Sequence, residues 1–478
     1  MKSQFFARAP SFAIILATCS AFSAPSHRRF ATIMDAAAGG GGCDHPRGRD
    51  IVVVGGGIQG TACAFELHRS RALPPGSTIT ILEANGLASA ASGKGGGFMA
   101  RSWGDGTDTQ ALHELAFDMY ETLSVELGVK SYRKLPVIGV SPGPDDDDGG
   151  RRDNGKRHPQ LADIIPRWLD GSVGRISPMG AGDDTAQVTP GEFVEKMMEY
   201  VNGRPGIDGP GVKLVIGTCV GIESSRDDDD DNDDGVRVVT GVRYRTDGER
   251  DELTLRADDV IVAAGPWACT AEGWFGNVVK LPMEGVKSTS IVWRPPVDEC
   301  GRAMIELVDA TALFCGEDDR FGTHLEVYPR PDGTVYICGI GGSDYVTTSE
   351  LQASAFLDEC PPKSDRVEAA LSAFHLMSNS YATKGELSHA QACMRPCPPD
   401  AKPYMGKING WSGAYINAGH NCWGIAWAPA CGKAIAELVL EGYSRSVNLK
   451  PFDPARFTSG GRGGRGRKKG TVNVGEQW

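Results

Sequence analysis

A glycine triplet between an apolar run and a predicted helix constrains the fold of this chain more than any other feature. Apart from Asp50, residues 50–54 are apolar and β-branched, the composition of a strand buried on both faces of a parallel sheet. The glycines that follow keep the G-x-G-x-x-G spacing, and residues 61–70 are predicted to form a helix. Such a loop brings a helix N-terminus to a pyrophosphate. The candidate dinucleotide contacts here are Gly55, Gly57, Ile58 and Gly60.

An acid at the end of the next strand supports a dinucleotide site. Residues 78–82 form a second β-rich run, and Glu83 follows it directly. An acid about 20 residues beyond the glycines accepts hydrogen bonds from ribose hydroxyls and repels a 2′-phosphate. The alternative is a glycine turn with a purely structural role, because the chain is rich in glycine, with 63 such residues.

A second loop of small residues, 88–97, follows shortly after this acid. A nicotinamide cofactor would not need it, whereas FAD is longer and needs a second cradle. With this loop the chain resembles the FAD-dependent oxidoreductase family that contains D-amino-acid oxidase, glycine oxidase and sarcosine oxidase. The resemblance implies that the loop runs past the pyrophosphate toward the flavin ring. Its candidate contacts are Ser89, Ser92 and Gly96.

Two segments in the middle of the chain carry the resemblance further. Val220 follows a predicted strand at residues 212–216, at a point where the family's backbone holds the adenine. Burial in a sheet explains this valine equally well. Residues 259–267 form another buried run that ends in the family's A-A-G-x-W element. The resemblance implies that Gly265 contacts FAD, and a simple turn glycine is the alternative.

Arg395 is the candidate catalytic residue. Residues 395–406 resemble the family's R-P-x-x-x-D-x-x-P-x-x-G motif. A planar guanidinium binds a carboxylate through two parallel hydrogen bonds, and the arginine of this motif does so in relatives that oxidise amino acids. We therefore predict that Arg395 anchors the substrate carboxylate. The alternative is a structural arginine that pairs with Asp400.

A glycine–histidine element near the C-terminal end completes the predicted cofactor site. Residues 419–425 match the family's G-H-x-x-x-G-I, and a helix is predicted at about 430–440. Backbone N–H groups at a helix N-terminus suit the negative charge of reduced flavin. The histidine is expected to be a cofactor neighbour rather than a general base. The matching positions are Gly419, His420, Gly424 and Ile425.

These segments predict an α/β fold with a Rossmann-type FAD-binding domain and a second, mainly antiparallel β substrate domain. Residues 327–337 add a predicted hairpin around an Asp-Gly turn, which fits an antiparallel sheet over the flavin. The predicted division is a presequence at 1–46, an FAD-binding domain at 47–130, 186–275 and 388–445, a substrate domain at 131–185 and 276–387, and a basic, disordered tail at 446–478.

The net charge of −12 comes largely from two aspartate-rich runs, at 145–148 and 227–234. Such runs are usually solvated loop insertions, and an acidic binding surface is the alternative. The basic tail could touch RNA or an acidic surface, but we expect no nucleic-acid partner. The 13 cysteines include no C-x-x-C pair, so we expect neither a disulfide framework nor a metal site.

The N-terminal residues have the layout of a targeting segment. Lys2 and Arg8 precede an apolar stretch at 12–17 that is too short to span a membrane, and no other stretch reaches that length. Residues 20–25 and the basic segment after them resemble the bipartite plastid presequences of diatoms and related algae. A plastid location is therefore predicted, with mitochondrial import or secretion as alternatives.

The resemblance implies an oxidoreductase that transfers hydride from a small amine or amino acid to flavin N5, with oxygen as the acceptor. A dehydrogenase with another acceptor is an open alternative. A rival of a different class is a non-catalytic FAD-binding factor that assembles or stabilises a partner complex, because a fold does not determine function. The sequence leaves open which amine or amino acid is used and whether the flavin is covalently bound.

Overall fold

The computed structural model describes residues 47–143, 163–180, 182–203, 211–226, 235–249, 251–305, 309–353 and 360–458. The predicted presequence and both aspartate-rich runs lie outside these residues, as does the basic tail from residue 459. Residues 446–458, predicted as the start of that tail, pack against the fold. In this part of the tail Phe452 is fully buried and Arg456 pairs with Asp400 at 2.8 Å.

Strands and helices alternate along the first half of the described chain, and strands dominate the second. The helices are α1 Ile58–Arg69, α2 Ala91–Lys94, α3 Gln110–Leu127, α4 Pro190–Gly203, α5 Ala271–Trp274, α6 Thr348–Ala353, α7 Ser364–Met377 and α8 Gly424–Glu441. The strands are β1 Asp50–Val54, β2 Thr78–Glu83, β3 Phe98–Ala100, β4 Arg133–Lys134, β5 Val137–Pro142, β6 Val173–Gly180, β7 Thr185–Gln187, β8 Lys213–Ile216, β9 Thr218–Arg226, β10 Arg237–Arg245, β11 Leu253–Arg256, β12 Asp259–Val262, β13 Glu284–Arg294, β14 Ala312–Cys315, β15 Glu326–Pro329, β16 Val335–Cys338, β17 Asp344–Val346, β18 Glu386–Cys397, β19 Tyr404–Lys407, β20 Trp411–Ser412 and β21 Ala414–Ala418.

A six-stranded sheet with the order β19-β21-β12-β1-β2-β8 carries the glycine loop. Its strands are parallel except β19, which runs antiparallel to β21. Strand β1 lies between β12 and β2, and its residues alternate between two buried clusters on opposite faces. The prediction of a strand buried on both faces is therefore confirmed.

Helices α1 and α8 pack together on one face of this sheet. The contact is close because Gly432 has no side chain, and a Cβ there would lie 2.6 Å from the backbone of Ala62. Helix α1 begins at Ile58, three residues before the predicted start, so that the third glycine of the loop lies in its first turn. This packing brings the N-terminal and C-terminal segments of the chain to one place.

A mainly antiparallel sheet of eight strands forms the second large element. Its order is β17-β13-β16-β15-β14-β5-β6, and β18 pairs with β13. The only parallel pair among its described ladders joins β14 to β5. The predicted hairpin forms as β15 and β16, with Val327 opposite Ile337. Together the two sheets confirm the predicted fold class.

The predicted division into two domains stays a prediction. The described residues all fall within one compact unit. The predicted boundary at residue 388 falls inside β18, a strand of the eight-stranded sheet. Among the described helices, none is long and apolar enough to cross a bilayer.

Candidate active site

A cavity of about 570 Å³ lies between the six-stranded and eight-stranded sheets. Its wall combines the glycine loop, the second small-residue loop, the start of α8, and strands β13, β15, β16 and β18. All the sequence-predicted site residues line it except Gly60 and Gly419. Cavities of this size hold cofactors and small ligands.

The glycine loop owes its shape to backbone contacts that exclude side chains. Gly55 has φ +113°, and a Cβ there would lie 2.4 Å from the carbonyl oxygen of Ala263. A Cβ on Gly60 would lie only 2.0 Å from the carbonyl oxygen of Gly55. These glycines therefore allow a tight turn and the close packing of α1, as their spacing predicts. Gly60 has this packing role and does not reach the cavity.

The N-terminus of α1 faces the second loop. The N–H of Ile58 donates a hydrogen bond to the Ser92 hydroxyl at 2.9 Å, and Gly57 supplies no side-chain cap. A Cβ on Gly57 would lie 2.9 Å from that same hydroxyl oxygen. The Ser92 hydroxyl oxygen thus lies at the start of the helix, and the N–H groups of a helix N-terminus also favour a phosphate oxygen at such a position.

The carboxylate of Glu83 lies at the edge of the same loop. Its Oε2 accepts a hydrogen bond from the Gly56 N–H at 2.6 Å, and its Oε1 accepts one from the Asn85 N–H at 3.1 Å. Each oxygen keeps a second lone pair, and the side chain lines the cavity. This placement at the carboxyl end of β2 suits an acceptor for ribose hydroxyls.

The second small-residue loop passes against the eight-stranded sheet. A Cβ on Gly96 would lie 2.6 Å from the ring of Tyr328 and 2.9 Å from that of Tyr336. Glycine is therefore required for this close approach. Ser89 and Ser92 line the cavity from the same loop.

Val220 and Gly265 both line the cavity, Val220 from β9 and Gly265 from the turn after β12. Val220 is half-buried on β9 and also lines the cavity, so burial in the sheet and a place at the cofactor site are compatible. Gly265 follows β12, and its φ of +55° favours glycine on conformational grounds. No atom lies within 4 Å of where its Cβ would be, and the backbone there faces the open cavity.

The glycine–histidine element precedes α8, which begins at Gly424 rather than near residue 430. Pro429 lies inside this helix and has no N–H for the carbonyl of Ile425. The hydroxyl of Tyr120 donates to that carbonyl at 2.6 Å and replaces the missing bond. The helix can therefore extend back through the proline, and its N-terminus reaches the cavity.

His420 is buried with an exposed fraction of 2%, and its Nε2 has no hydrogen-bond partner among the described residues. Burial lowers the pKa of its imidazole to about 3, because a cation would lose its hydration there. The ring is neutral near pH 7. This state suits a neighbour of the cofactor better than a general acid or base.

Burial of His420 makes stability depend on pH. The unfolded chain gains a proton near pH 6.5, whereas the folded chain does not until about pH 3. The free energy of unfolding therefore falls by about 1.4 kcal/mol per pH unit as the pH falls from 6.5 toward 3. We expect urea unfolding between pH 6 and pH 4 to show a weaker pH dependence in His420→Gln. The exposed His389→Gln is the control, and equal slopes in the wild type and His420→Gln would contradict the prediction.

A polar pair that the sequence analysis missed connects the two ends of the site. The Asn417 side chain donates to Gln59 Oε1 at 2.9 Å, and Gln59 Nε2 donates to the Gly424 carbonyl at 2.6 Å. Asn417 Oδ1 is buried and accepts no hydrogen bond from any residue that the structure describes. Both side chains line the cavity. Gln59 lies in the glycine loop and Asn417 lies just before the glycine–histidine element, but nothing in the sequence indicates that these two side chains form a hydrogen bond.

Arg395 lies on β18 and lines the cavity. Its Nη2 donates to the Ser288 hydroxyl at 3.3 Å, and its Nε is buried with no hydrogen-bond partner in the part of the chain that the structure describes. The alternative of a structural pair with Asp400 is wrong. Both oxygens of Asp400 accept from Arg456 instead, at 2.8 and 3.0 Å. The guanidinium is therefore available to an anionic ligand.

These features fit a flavin dinucleotide. The glycine loop and second loop form a cradle that leaves no room for a Cβ at two positions, because one at Gly57 would meet the Ser92 hydroxyl and one at Gly96 would meet the ring of Tyr328. The wall also presents buried polar atoms, on His420 and Asn417, that have no hydrogen-bond partner within the described ranges. Such atoms are costly unless a ligand satisfies them. No cluster of side chains suited to a metal ion occurs in the described ranges.

Comparison with known proteins identifies the family and its cofactor. The model of a family described as FAD-dependent oxidoreductases matches residues 50–438. The chain belongs to this family, and its cofactor is FAD. A proposed oxidoreductase of Schizosaccharomyces pombe is 28% identical over 424 residues, which cover 85% of this chain and 98% of that protein.

One further relative and one solved structure of similar fold have more specific names. A glycine oxidase of Pseudomonas aeruginosa is 24% identical over 417 residues, covering 85% of this chain and 98% of the enzyme. The structure of an L-amino acid deaminase from Proteus myxofaciens has a TM-score of 0.62 at 17% identity, covering 86% of this chain and 94% of that chain. At that identity the structural likeness shows the fold alone.

Proposed function

We propose that the protein oxidises a small amino acid whose carboxylate binds Arg395, with oxygen as the electron acceptor. The observation that carries this proposal is the state of the Arg395 guanidinium in the wall of the flavin cavity. Among the described residues its side-chain partner is the hydroxyl of Ser288, and no carboxylate pairs with it. A substrate carboxylate would complete its hydrogen bonding with charge-assisted bonds. The names of the glycine oxidase and the amino acid deaminase support this substrate class.

The chain's own groups would orient the substrate. Ser288 steadies the Arg395 guanidinium through its hydroxyl. Bound FAD would supply the two-electron acceptor, with hydride passing from the substrate carbon to flavin N5. An anchored carboxylate places that carbon at a constant distance from the cofactor, and positioning of this kind lowers the barrier.

The helix N-terminus at Gly424 contributes electrostatics to the same wall. Gly424 and Ile425 line the cavity at the start of the 18-residue helix α8. The first N–H groups of such a helix carry partial positive charge. They would favour negative charge on a ligand beside them, while the neutral His420 leaves that field unchanged.

Anaerobic titration of the yellow holoprotein tests the proposal. Glycine, sarcosine and the D- and L-forms of common amino acids are added in turn, and the visible flavin spectrum is recorded. We expect at least one amino acid to bleach the flavin and air to restore it with release of hydrogen peroxide. Absence of bleaching across the panel would overturn the proposal and favour the FAD-binding assembly factor. Bleaching without peroxide on re-aeration would contradict oxygen as the acceptor.

A further inference from the structure

An acidic side chain faces the same cavity as Arg395. Glu326 begins β15, is 5% exposed, and lines the cavity wall. Its Oε2 accepts hydrogen bonds from the Tyr328 hydroxyl and, at 3.4 Å, from the Cys338 thiol. Its Oε1 accepts none among the described residues. One oxygen of a buried carboxyl group is thus available to a ligand.

No cation in the described chain pairs with this carboxyl group. Arg395 is near enough to interact with it through space, but the two side chains form no ion pair or hydrogen bond. Burial raises the pKa of Glu326, and the hydrogen bonds from Tyr328 and Cys338 and the charges of His324 and Arg395 only partly oppose this. A buried carboxylate is costly unless a cation or donor accompanies it.

Aromatic rings close the cavity around this acid. Tyr328 stacks against Phe98 at 5.4 Å and against Tyr336 at 6.2 Å between ring centroids. Phe314 meets the edge of Tyr328 at 5.9 Å. These rings lower the local dielectric constant, which strengthens a hydrogen bond between opposite charges. A polar ligand group without a partner here would be unfavourable for the same reason.

An acid and a guanidinium therefore face one cavity without contacting each other, an arrangement that matches the two charges of a zwitterion. We propose that Glu326 accepts a hydrogen bond from the substrate's α-amino group, so that the cavity selects amino acids over carboxylic acids that lack nitrogen. This inference rests on the proposed function, because it takes the carboxylate of the substrate to be bound by Arg395. It makes Glu326 a second recognition residue, on a different strand of the same sheet.

Two ligands that the flavin cannot oxidise isolate this contact, because each lacks either the α-hydrogen or the amino group that oxidation requires. 2-Aminoisobutyrate has an amino group but no hydrogen on its α-carbon, and isobutyrate has the same carbon skeleton without nitrogen. Binding of each to the holoprotein is followed by the shift of the visible flavin spectrum. We expect the wild type to prefer 2-aminoisobutyrate. In Glu326→Gln its affinity should fall about tenfold to a hundredfold, the range for a hydrogen bond to a charged group, with little change for isobutyrate.

Glu284→Gln is the matched control. Glu284 lies on β13 of the same sheet, is half-buried, and does not line the cavity, so the preference should persist in that variant. Unchanged isobutyrate binding in Glu326→Gln shows that the site is still folded. Equal affinity of the wild type for the two acids, or a preference that survives in Glu326→Gln, would overturn the inference. The proposed function is judged separately, by flavin bleaching with oxidisable amino acids.

Discussion

Replacement of Arg395 by methionine is expected to lower kcat/KM for amino-acid substrates by more than a hundredfold. Methionine keeps much of the volume but cannot bind a carboxylate, and the substrate would then be buried with its charge unpaired. Breaking a desolvated charge pair in this way costs about 3 kcal/mol or more, which corresponds to that factor. Steady-state kinetics with the best substrate from the titration panel measure the effect.

Two controls separate loss of the anchor from damage to the fold. Arg294→Met makes the same change on β13, where the exposed arginine pairs with Glu386 at 2.9 Å and does not line the cavity. Surface ion pairs of this kind contribute little, so its kinetics should match the wild type. The flavin content of Arg395→Met should also be normal. Wild-type kinetics in Arg395→Met with full flavin occupancy would contradict the role of the arginine.

Gly60→Ala is expected to destabilise the protein by about 3 kcal/mol or more and to reduce the bound flavin per chain. The new Cβ would lie 2.0 Å from the Gly55 carbonyl oxygen, so either α1 or the glycine loop must move. Overpacking against backbone has a cost of this order because no side chain can rotate away. Urea unfolding and the ratio of visible to ultraviolet absorbance measure the two effects.

Gly191→Ala provides the comparison for that variant. Gly191 lies in the first turn of α4, and no atom lies within 4 Å of where its Cβ would be. An alanine there should be neutral or slightly stabilising, because it restricts the unfolded chain without a clash. If Gly60→Ala unfolds at the same urea concentration as Gly191→Ala and keeps its flavin, the close packing of α1 on the loop is not required.

Local sequence patterns predicted much of the cofactor-binding framework. Strand β1, the glycine turn and α1 form within about 20 residues, and the preferences of glycine and of β-branched residues act over that distance. The hairpin of β15 and β16 was predictable for the same reason, since an Asp-Gly turn joins its strands. The role proposed for Arg395 came from a resemblance, and the structure adds that Asp400 is held by a different arginine.

Other features could not be predicted because they depend on residues far apart in the chain. The helix was predicted to begin near residue 430, just after Pro429, whereas α8 begins at Gly424, and the hydroxyl of Tyr120 on another helix satisfies the carbonyl that the proline leaves without an N–H. Glu326 directly precedes the predicted hairpin at 327–337 and was not singled out by the sequence, and its burial beside a cavity depends on how the two sheets face each other. Short-range backbone preferences are encoded residue by residue, and they produced the dinucleotide loop and its strands. The pairing of buried charges and unsatisfied polar atoms depends on three-dimensional packing, and that packing decided which side chains meet at the flavin cavity.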